Sequence, residues 1–110
     1  METTVKEITE GLLISVNGRI DTTNYIEFEK VVDKLLSKKV SQIFLDCSKL
    51  NYISSSGLRV FLTILRKMTK SGGHFKLIAM QPNIKEIFDI SGFSSIFSIF
   101  PDLEAAIQQE

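Results

Sequence analysis

Three adjacent hydroxyl groups, those of Ser54, Ser55 and Ser56, have the clearest potential for chemistry in this 110-residue chain. They lie in the stretch YISSSGLRVFL, where Gly57 and a strongly patterned apolar segment follow them. A serine hydroxyl can cap a helix, act as a nucleophile or accept a phosphoryl group. The elements around the serines must therefore decide between these roles.

Nucleophilic catalysis by these serines lacks the partners that it needs. A hydrolase nucleophile lies in G-x-S-x-G, and the stretch SSSGL lacks the first glycine. The single histidine, His74, is the only imidazole base, and we expect it to begin a strand near the surface. The glycines at 72 and 73 belong to no G-x-x-x-x-G-K-[ST] pattern, so a phosphate-binding P-loop is absent. We therefore expect that the protein is not an enzyme.

Metal and cofactor binding are equally poorly supported. One histidine and one cysteine, Cys47, do not form a set of ligands, and the carboxylates are scattered over helix faces. We expect no metal and no other cofactor. A lone cysteine within an apolar run is typical of a buried thiol, and the lack of a possible intramolecular disulfide favours a reducing cytoplasm.

The charge balance gives no overall attraction to a polyanionic partner, and it leaves a local basic patch open. Lys plus Arg number 13 and Asp plus Glu number 13, so no net field attracts the protein to nucleic acid or to an anionic membrane. The N-terminal stretch METTVKEITEG lacks the pattern of a signal peptide, and no segment approaches the roughly 20 apolar residues of a membrane helix. We expect a cytoplasmic protein that neither inserts into a membrane nor binds nucleic acid directly.

Hydrophobic periodicity predicts a hairpin followed by alternating helices and strands. The hairpin strands are predicted at residues 5–8 and 12–16, with a turn at 17–18. The later elements are predicted, in chain order, as a helix capped by Asp21 or Thr22, a strand at 42–47, a helix at about 56–69, a strand at 74–80, a helix from Pro82 to about Ile90, a strand at 96–100 and a helix that begins at Pro101 or Asp102. This order predicts an α/β fold in one domain, residues 1–110, with helices packed on a mixed sheet.

The helix after the serines has a clear apolar stripe. Five residues at helical spacing form it: Leu58, Phe61, Leu62, Leu65 and Met68. Arg59 and Thr63 lie on the opposite, polar side. Val60 and Ile64 fall at the edge of the stripe, where we expect them to be half covered.

The serines themselves allow two interpretations. In the simpler one they form a loop and cap the following helix. In the other, they occupy a corner between a strand and a helix, where partners and ligands meet α/β proteins. The free N–H groups of a helix N-terminus favour an anion there, so a serine at this corner can accept a phosphoryl group with little folding penalty.

Several segments, in order and at the right spacing, resemble the STAS domain family in its stand-alone form, the bacterial anti-sigma factor antagonists. GRID at 18–21 is similar to the family's G-x-[LI]-D, and IFLDCS at 43–48 to its apolar strand that ends in D-x-S. YISSSGLRVFL at 52–62 resembles the signature D-S-[SA]-G-[LI] followed by an apolar helix. The glycine pair at 72–73 and FDISGF at 88–93 resemble later landmarks.

The resemblance implies a STAS-like fold and a switch that depends on phosphorylation. By this alignment Ser56 is the phosphoacceptor, and the partners are an anti-sigma factor with serine kinase activity and a serine phosphatase. The unmodified antagonist binds the anti-sigma factor and releases a sigma factor, whereas the phosphorylated form dissociates. The residues that the resemblance and the exposed helix face assign to partner contact are Asp21, Ser54, Ser55, Gly57, Arg59, Val60 and Thr63.

One position departs from the signature. Ser54 occupies the place of the family's aspartate, two residues before the acceptor. A changed kinase, acceptance at Ser54 or Ser55, or a STAS domain that binds without phosphorylation each fit this difference. The alternative function is therefore a non-switching scaffold or regulatory subunit in a larger signalling or lipid-transport complex.

Overall fold

The computed structural model describes residues 1–109 and shows a mixed α/β fold. The elements are β1 (Glu2–Ile8), β2 (Gly11–Ile20), α1 (Tyr25–Leu36), β3 (Gln42–Asp46), β4 (Leu50–Ile53), α2 (Ser55–Lys70), β5 (His74–Ile78), α3 (Pro82–Ser91), a 3₁₀ turn (Phe93–Ser95), β6 (Ser98–Phe100) and α4 (Leu103–Gln108). The predicted mixed sheet is confirmed: β1 pairs with β2 in antiparallel fashion, and the other pairs are parallel in the order β2–β3–β5–β6.

The long strand β2 differs most from the prediction. Its first half pairs with β3, and its second half pairs with β4 from Gly18 onward, with a register shift between Gly18 and Arg19. The predicted turn at residues 17–18 is wrong, because Gly18 (φ 109°) continues the strand and its amide donates to the Lys49 carbonyl at 2.9 Å. The strand β4 was missing from the predicted order. A glycine is typical of a register shift within a strand as well as of a turn.

The two faces of the sheet are covered unequally. Helices α1, α2 and α3 contribute to the main core on one face, where the fully buried aromatic rings of Phe28, Phe61 and Phe88 pack. The other face carries a smaller cluster around Phe44 and Ile78, and α4 contributes Ala106 to it. Because side chains alternate along β3 and β5, neighbouring residues of one strand serve both cores.

Two details of the helices correct the predictions. Helix α1 begins at Tyr25 with Asn24 as its N-cap residue, and no side chain caps it, so neither Asp21 nor Thr22 has the predicted role. In α2, Val60 and Ile64 are 3% and 1% exposed rather than half covered, because the helix is packed against α1, β4 and β5 together. The last helix begins at Leu103, one residue after the predicted start at Pro101 or Asp102, and Asp102 is its N-cap residue, whose carboxylate accepts a hydrogen bond from the Ala105 amide at 2.8 Å.

Candidate functional site

The strands β2 and β4 bring the two predicted site segments to the same edge of the sheet. They run parallel, with Ile20 paired to Ile53, so Asp21 and Ser54 follow directly at their carboxyl ends. The Ser54 amide also donates to the Ile20 carbonyl at 2.9 Å, which fixes the two chain segments to each other. We call this edge, formed by residues 19–24 and 52–59, the serine edge.

Ser54 is the N-cap residue of α2. Its hydroxyl accepts a hydrogen bond from the Gly57 amide at 3.2 Å, and its carbonyl accepts one from the Leu58 amide at 2.9 Å. The residue is 8% exposed. The capping interpretation is therefore confirmed for this serine, and its buried hydroxyl is poorly placed either to accept a phosphoryl group or to touch a partner.

Gly57 is required by packing inside the protein. A Cβ atom at this position would lie 2.7 Å from Ile53 Cγ1 and 2.8 Å from Ile20 Cγ2. The glycine thus lets α2 approach the paired ends of β2 and β4 closely. Gly57 and Val60 are both buried, and partner contact through them stays a prediction.

Ser55 and Ser56 are the first two residues of α2, and their hydroxyls differ from that of Ser54. Ser55 is exposed and Ser56 is partly exposed. Within residues 1–109, neither hydroxyl forms a hydrogen bond with the protein. The first turn of α2 contains no acidic side chain, so the positive end of the helix dipole is not offset there. A negative group on Ser56 would be stabilised by this helix terminus.

Asp21 is held by its own loop. Its carboxylate accepts hydrogen bonds from the Thr23 hydroxyl at 2.6 Å, from the Thr23 amide at 2.9 Å and from Arg19 Nε at 2.8 Å. These bonds, those from Thr23 foremost, lower the pKa of Asp21 from 3.8 to about 2. The aspartate is therefore ionised at neutral pH and fixed in orientation at the serine edge.

Two residues of the serine edge were not identified from the sequence. The guanidinium of Arg19 lies over the ring of Tyr52 at 4.7 Å from its centroid, and Tyr52 is 40% exposed. The two residues are partners in the β2–β4 register, with Ile20 and Ile53 next to them facing the core. Only the recognition of β4 as a strand would have revealed this pair.

The outer side of α2 continues the serine edge. Arg59 is exposed and Thr63 is partly exposed, as their position on the polar side of the helix predicted. The Thr63 hydroxyl donates to the Arg59 carbonyl at 3.0 Å.

Burial raises the pKa of the Cys47 thiol to about 12. In the described part of the chain no group of three His, Cys, Asp or Glu side chains could hold a metal ion, and no helix is long and apolar enough to span a membrane.

A comparison with protein-family models gives a match to the STAS domain over residues 2–106. The chain belongs to the STAS domain family. Its mixed sheet and helices are those of solved STAS proteins. TM1081 of Thermotoga maritima, described as a "putative anti-sigma factor antagonist", superimposes with a TM-score of 0.86 at 25% identity, over 96% of this chain and 92% of that one.

Other STAS proteins extend the comparison. BtrV of Bordetella bronchiseptica, named a "putative anti-sigma factor antagonist", is 33% identical over 106 residues, which cover 96% of this chain and 91% of BtrV. The unphosphorylated antagonist SpoIIAA shares the fold with a TM-score of 0.82 at 19% identity, over 96% of this STAS domain and 93% of SpoIIAA. SpoIIAA of Bacillus has also been solved in a phosphorylated form.

Proposed function

We propose that this STAS domain is an anti-sigma factor antagonist that is switched by phosphorylation of Ser56. The unmodified form binds an anti-sigma factor that has serine kinase activity, and a sigma factor is thereby released. Phosphorylation of Ser56 ends the complex, and a serine phosphatase restores it. The observation that carries this proposal is the Ser56 hydroxyl, which is partly exposed and makes no hydrogen bond at the N-terminus of α2.

The antagonist names of BtrV and TM1081 support an anti-sigma factor as the partner. SpoIIAA, which shares the fold, exists in unphosphorylated and phosphorylated forms. A phosphoryl group adds about −1.5 to −2 charges at neutral pH. The N–H groups of α2 stabilise this charge in the free protein, whereas a partner surface that accommodates a neutral hydroxyl repels it. A loss of about 1.4 kcal/mol weakens binding tenfold, so no refolding is needed.

The contact surface in this proposal consists of the exposed and partly exposed residues of the serine edge and the outer side of α2. These residues are Asp21, Ser55, Ser56, Arg59 and Thr63, and Ser54 contributes by holding the first turn in place. Gly57 and Val60 are buried and support this surface by packing. Asp21 is held in place by Thr23 and by its ion pair with Arg19, so the partner meets this charge pair in a fixed orientation.

A scaffold function is the second candidate, and Ser54 favours it. The signature aspartate of the family would place a carboxylate two residues before the acceptor, whereas here the cap is a neutral hydroxyl. A STAS domain without that carboxylate, used as a constant subunit in a larger complex, would keep the same surface and never lose its partner.

Phosphorylation and partner binding separate the two candidates. The protein is incubated with ATP and each candidate kinase-type anti-sigma factor from the same organism, and its intact mass is measured. The switch predicts a gain of one phosphate that Ser56→Ala abolishes and Ser55→Ala retains. It also predicts that Ser56→Asp weakens the complex at least about tenfold in calorimetry, whereas the exposed control Ser55→Asp has a smaller effect. No gain of mass, with equal binding of Ser56→Asp and the wild type, indicates the scaffold.

A further inference from the structure

A second surface of this protein lies at the end of the sheet opposite the serine edge. Helices α1 and α2 both begin near the carboxyl ends of the strands and run back to the amino ends, where Lys67 Nζ of α2 contacts the Asp33 carboxylate of α1 at 3.1 Å. A cleft of about 690 Å³ opens there, between the C-terminus of α2 and residues 37–41. We call it the basic cleft.

The basic cleft concentrates positive charge in a chain that has no net charge. Its rim carries Lys38, Lys39 and Lys67, all exposed. Lys67 has Asp33 as its partner, but Lys38 and Lys39 form no ion pair within residues 1–109. Glu7 and Glu10 line the adjoining groove on the hairpin side without pairing with them. Two cations at the cleft are thus available to an anionic partner.

Helix stability does not account for these two lysines. Basic side chains in the last turn of a helix offset its dipole, which explains Lys34 in α1 and Lys67 in α2. Lys38 and Lys39 follow the C-cap residue Ser37 and lie in the loop that leads to β3. Their charge is therefore presented by the loop to the cleft.

The floor of the cleft is apolar and its wall is fixed. Leu36, Val40 and Met68 line it below the lysines, and Met68 is 2% exposed. The loop is held against the start of β5, since the His74 amide donates to the Ser41 carbonyl at 2.9 Å. A preformed cleft with an apolar floor and a cationic rim suits a short chain segment better than a flat surface does.

We propose that the basic cleft binds an acidic peptide segment of a partner protein, with an apolar side chain of the segment on the floor and carboxylates against Lys38 and Lys39. A membrane surface is disfavoured, because lipid contact needs exposed apolar groups on the rim and a longer basic run. Nucleic acid is disfavoured because the chain has no net positive charge to attract it. This surface is separate from Ser56, so a protein could occupy it in either phosphorylation state.

A titration followed by amide NMR spectra tests the proposal on the full chain. The probe is a synthetic peptide of glutamates around one leucine, and a peptide with glutamine in place of glutamate is its control. We expect saturable shifts of the amides at residues 37–41 and 67–71 with the acidic peptide and much smaller ones with the control. Shifts that are absent, that spread over the surface, or that are equal for both peptides overturn the proposal.

Matched charge reversals identify the lysines. The double variant Lys38→Glu with Lys39→Glu should weaken binding of the acidic peptide about tenfold or more. The control Lys30→Glu with Lys49→Glu changes the net charge equally at exposed sites outside the cleft and should retain most of the affinity. Equal losses of affinity for the acidic peptide in the two double variants contradict a local site. Preferential binding at residues 37–41 to phosphatidylserine vesicles or to a DNA duplex, rather than to the peptide, also refutes an acidic peptide as the occupant.

Discussion

The hydroxyl of Ser54 accepts a hydrogen bond from the Gly57 amide at 3.2 Å and so closes the first turn of α2 around Ser55 and Ser56. Ser54 is nearly buried, whereas the two serines that follow it are more accessible. The three hydroxyls of the run are therefore not equivalent. The first supports the helix, and only the other two can meet another molecule.

Loss of this cap should destabilise the protein. Ser54→Ala leaves the Gly57 amide without its acceptor, and we expect a loss of about 1 kcal/mol in the free energy of unfolding. Ser54→Asp restores an acceptor at the helix N-terminus and should recover most of this stability. Urea unfolding followed by circular dichroism measures both. Ser55→Ala is the control at an exposed position, and a loss of stability there equal to that of Ser54→Ala would contradict the assignment.

The close approach of α2 to the strand ends should make Gly57 intolerant of any side chain. Gly57→Ala introduces a Cβ atom that meets Ile53 Cγ1 at 2.7 Å and Ile20 Cγ2 at 2.8 Å. We expect overpacking to lower the free energy of unfolding by about 1–3 kcal/mol, although alanine is the better helix former. Thermal unfolding measures the change. A neutral or stabilising effect of Gly57→Ala would show that α2 can move away from the sheet without cost.

The bonds to Asp21 predict a dependence of stability on acidic pH. Its folded pKa of about 2 lies below the ordinary value of 3.8, so folding favours the ionised carboxylate. The resulting stabilisation is complete above pH 4, roughly, and is lost as the pH falls toward 2. Thr23→Ala should raise the pKa toward 3.8, and Thr23→Ser, which keeps the hydroxyl, should not. NMR titration of the Asp21 carboxyl carbon measures this, and an unchanged pKa in Thr23→Ala would refute the proposed cause.

Lys76 should hold the C-terminal helix on the sheet. It is 4% exposed, and its ammonium donates to the Ala106 carbonyl at 2.7 Å and to the Gln109 carbonyl, with the rings of Phe44 and Phe100 nearby. Lys76→Met removes the hydrogen bonds to these two carbonyls and should lower the free energy of unfolding by about 2 kcal/mol. Hydrogen exchange should quicken most at the amides of α4. The exposed control Lys6→Met should leave hydrogen exchange of the α4 amides unchanged. If these amides exchange as slowly in Lys76→Met as in the wild type, Lys76 does not hold α4 on the sheet.

The prediction from the sequence was most accurate where a local signal acts alone. The sheet type, the burial of Cys47 and the start of the last helix near Asp102 follow from composition, periodicity and local turn signals. It failed at Gly18, because the dipeptide Asn17–Gly18 is a typical turn signal, and only the pairing of β2 with β4 keeps the chain extended there. It failed again at Val60, because the width of a buried helix face depends on how many neighbours the helix has.

The amino-acid sequence by itself determined the family and the order of the main elements, because spacing and hydrophobic period are local properties of a chain. The tertiary structure alone decided which serine caps α2, why residue 57 is glycine, and how Arg19 and Tyr52 meet. Each of these depends on the pairing of β2 with β4, which joins segments about thirty residues apart. Contacts of this kind are set by packing in three dimensions, which no local pattern records.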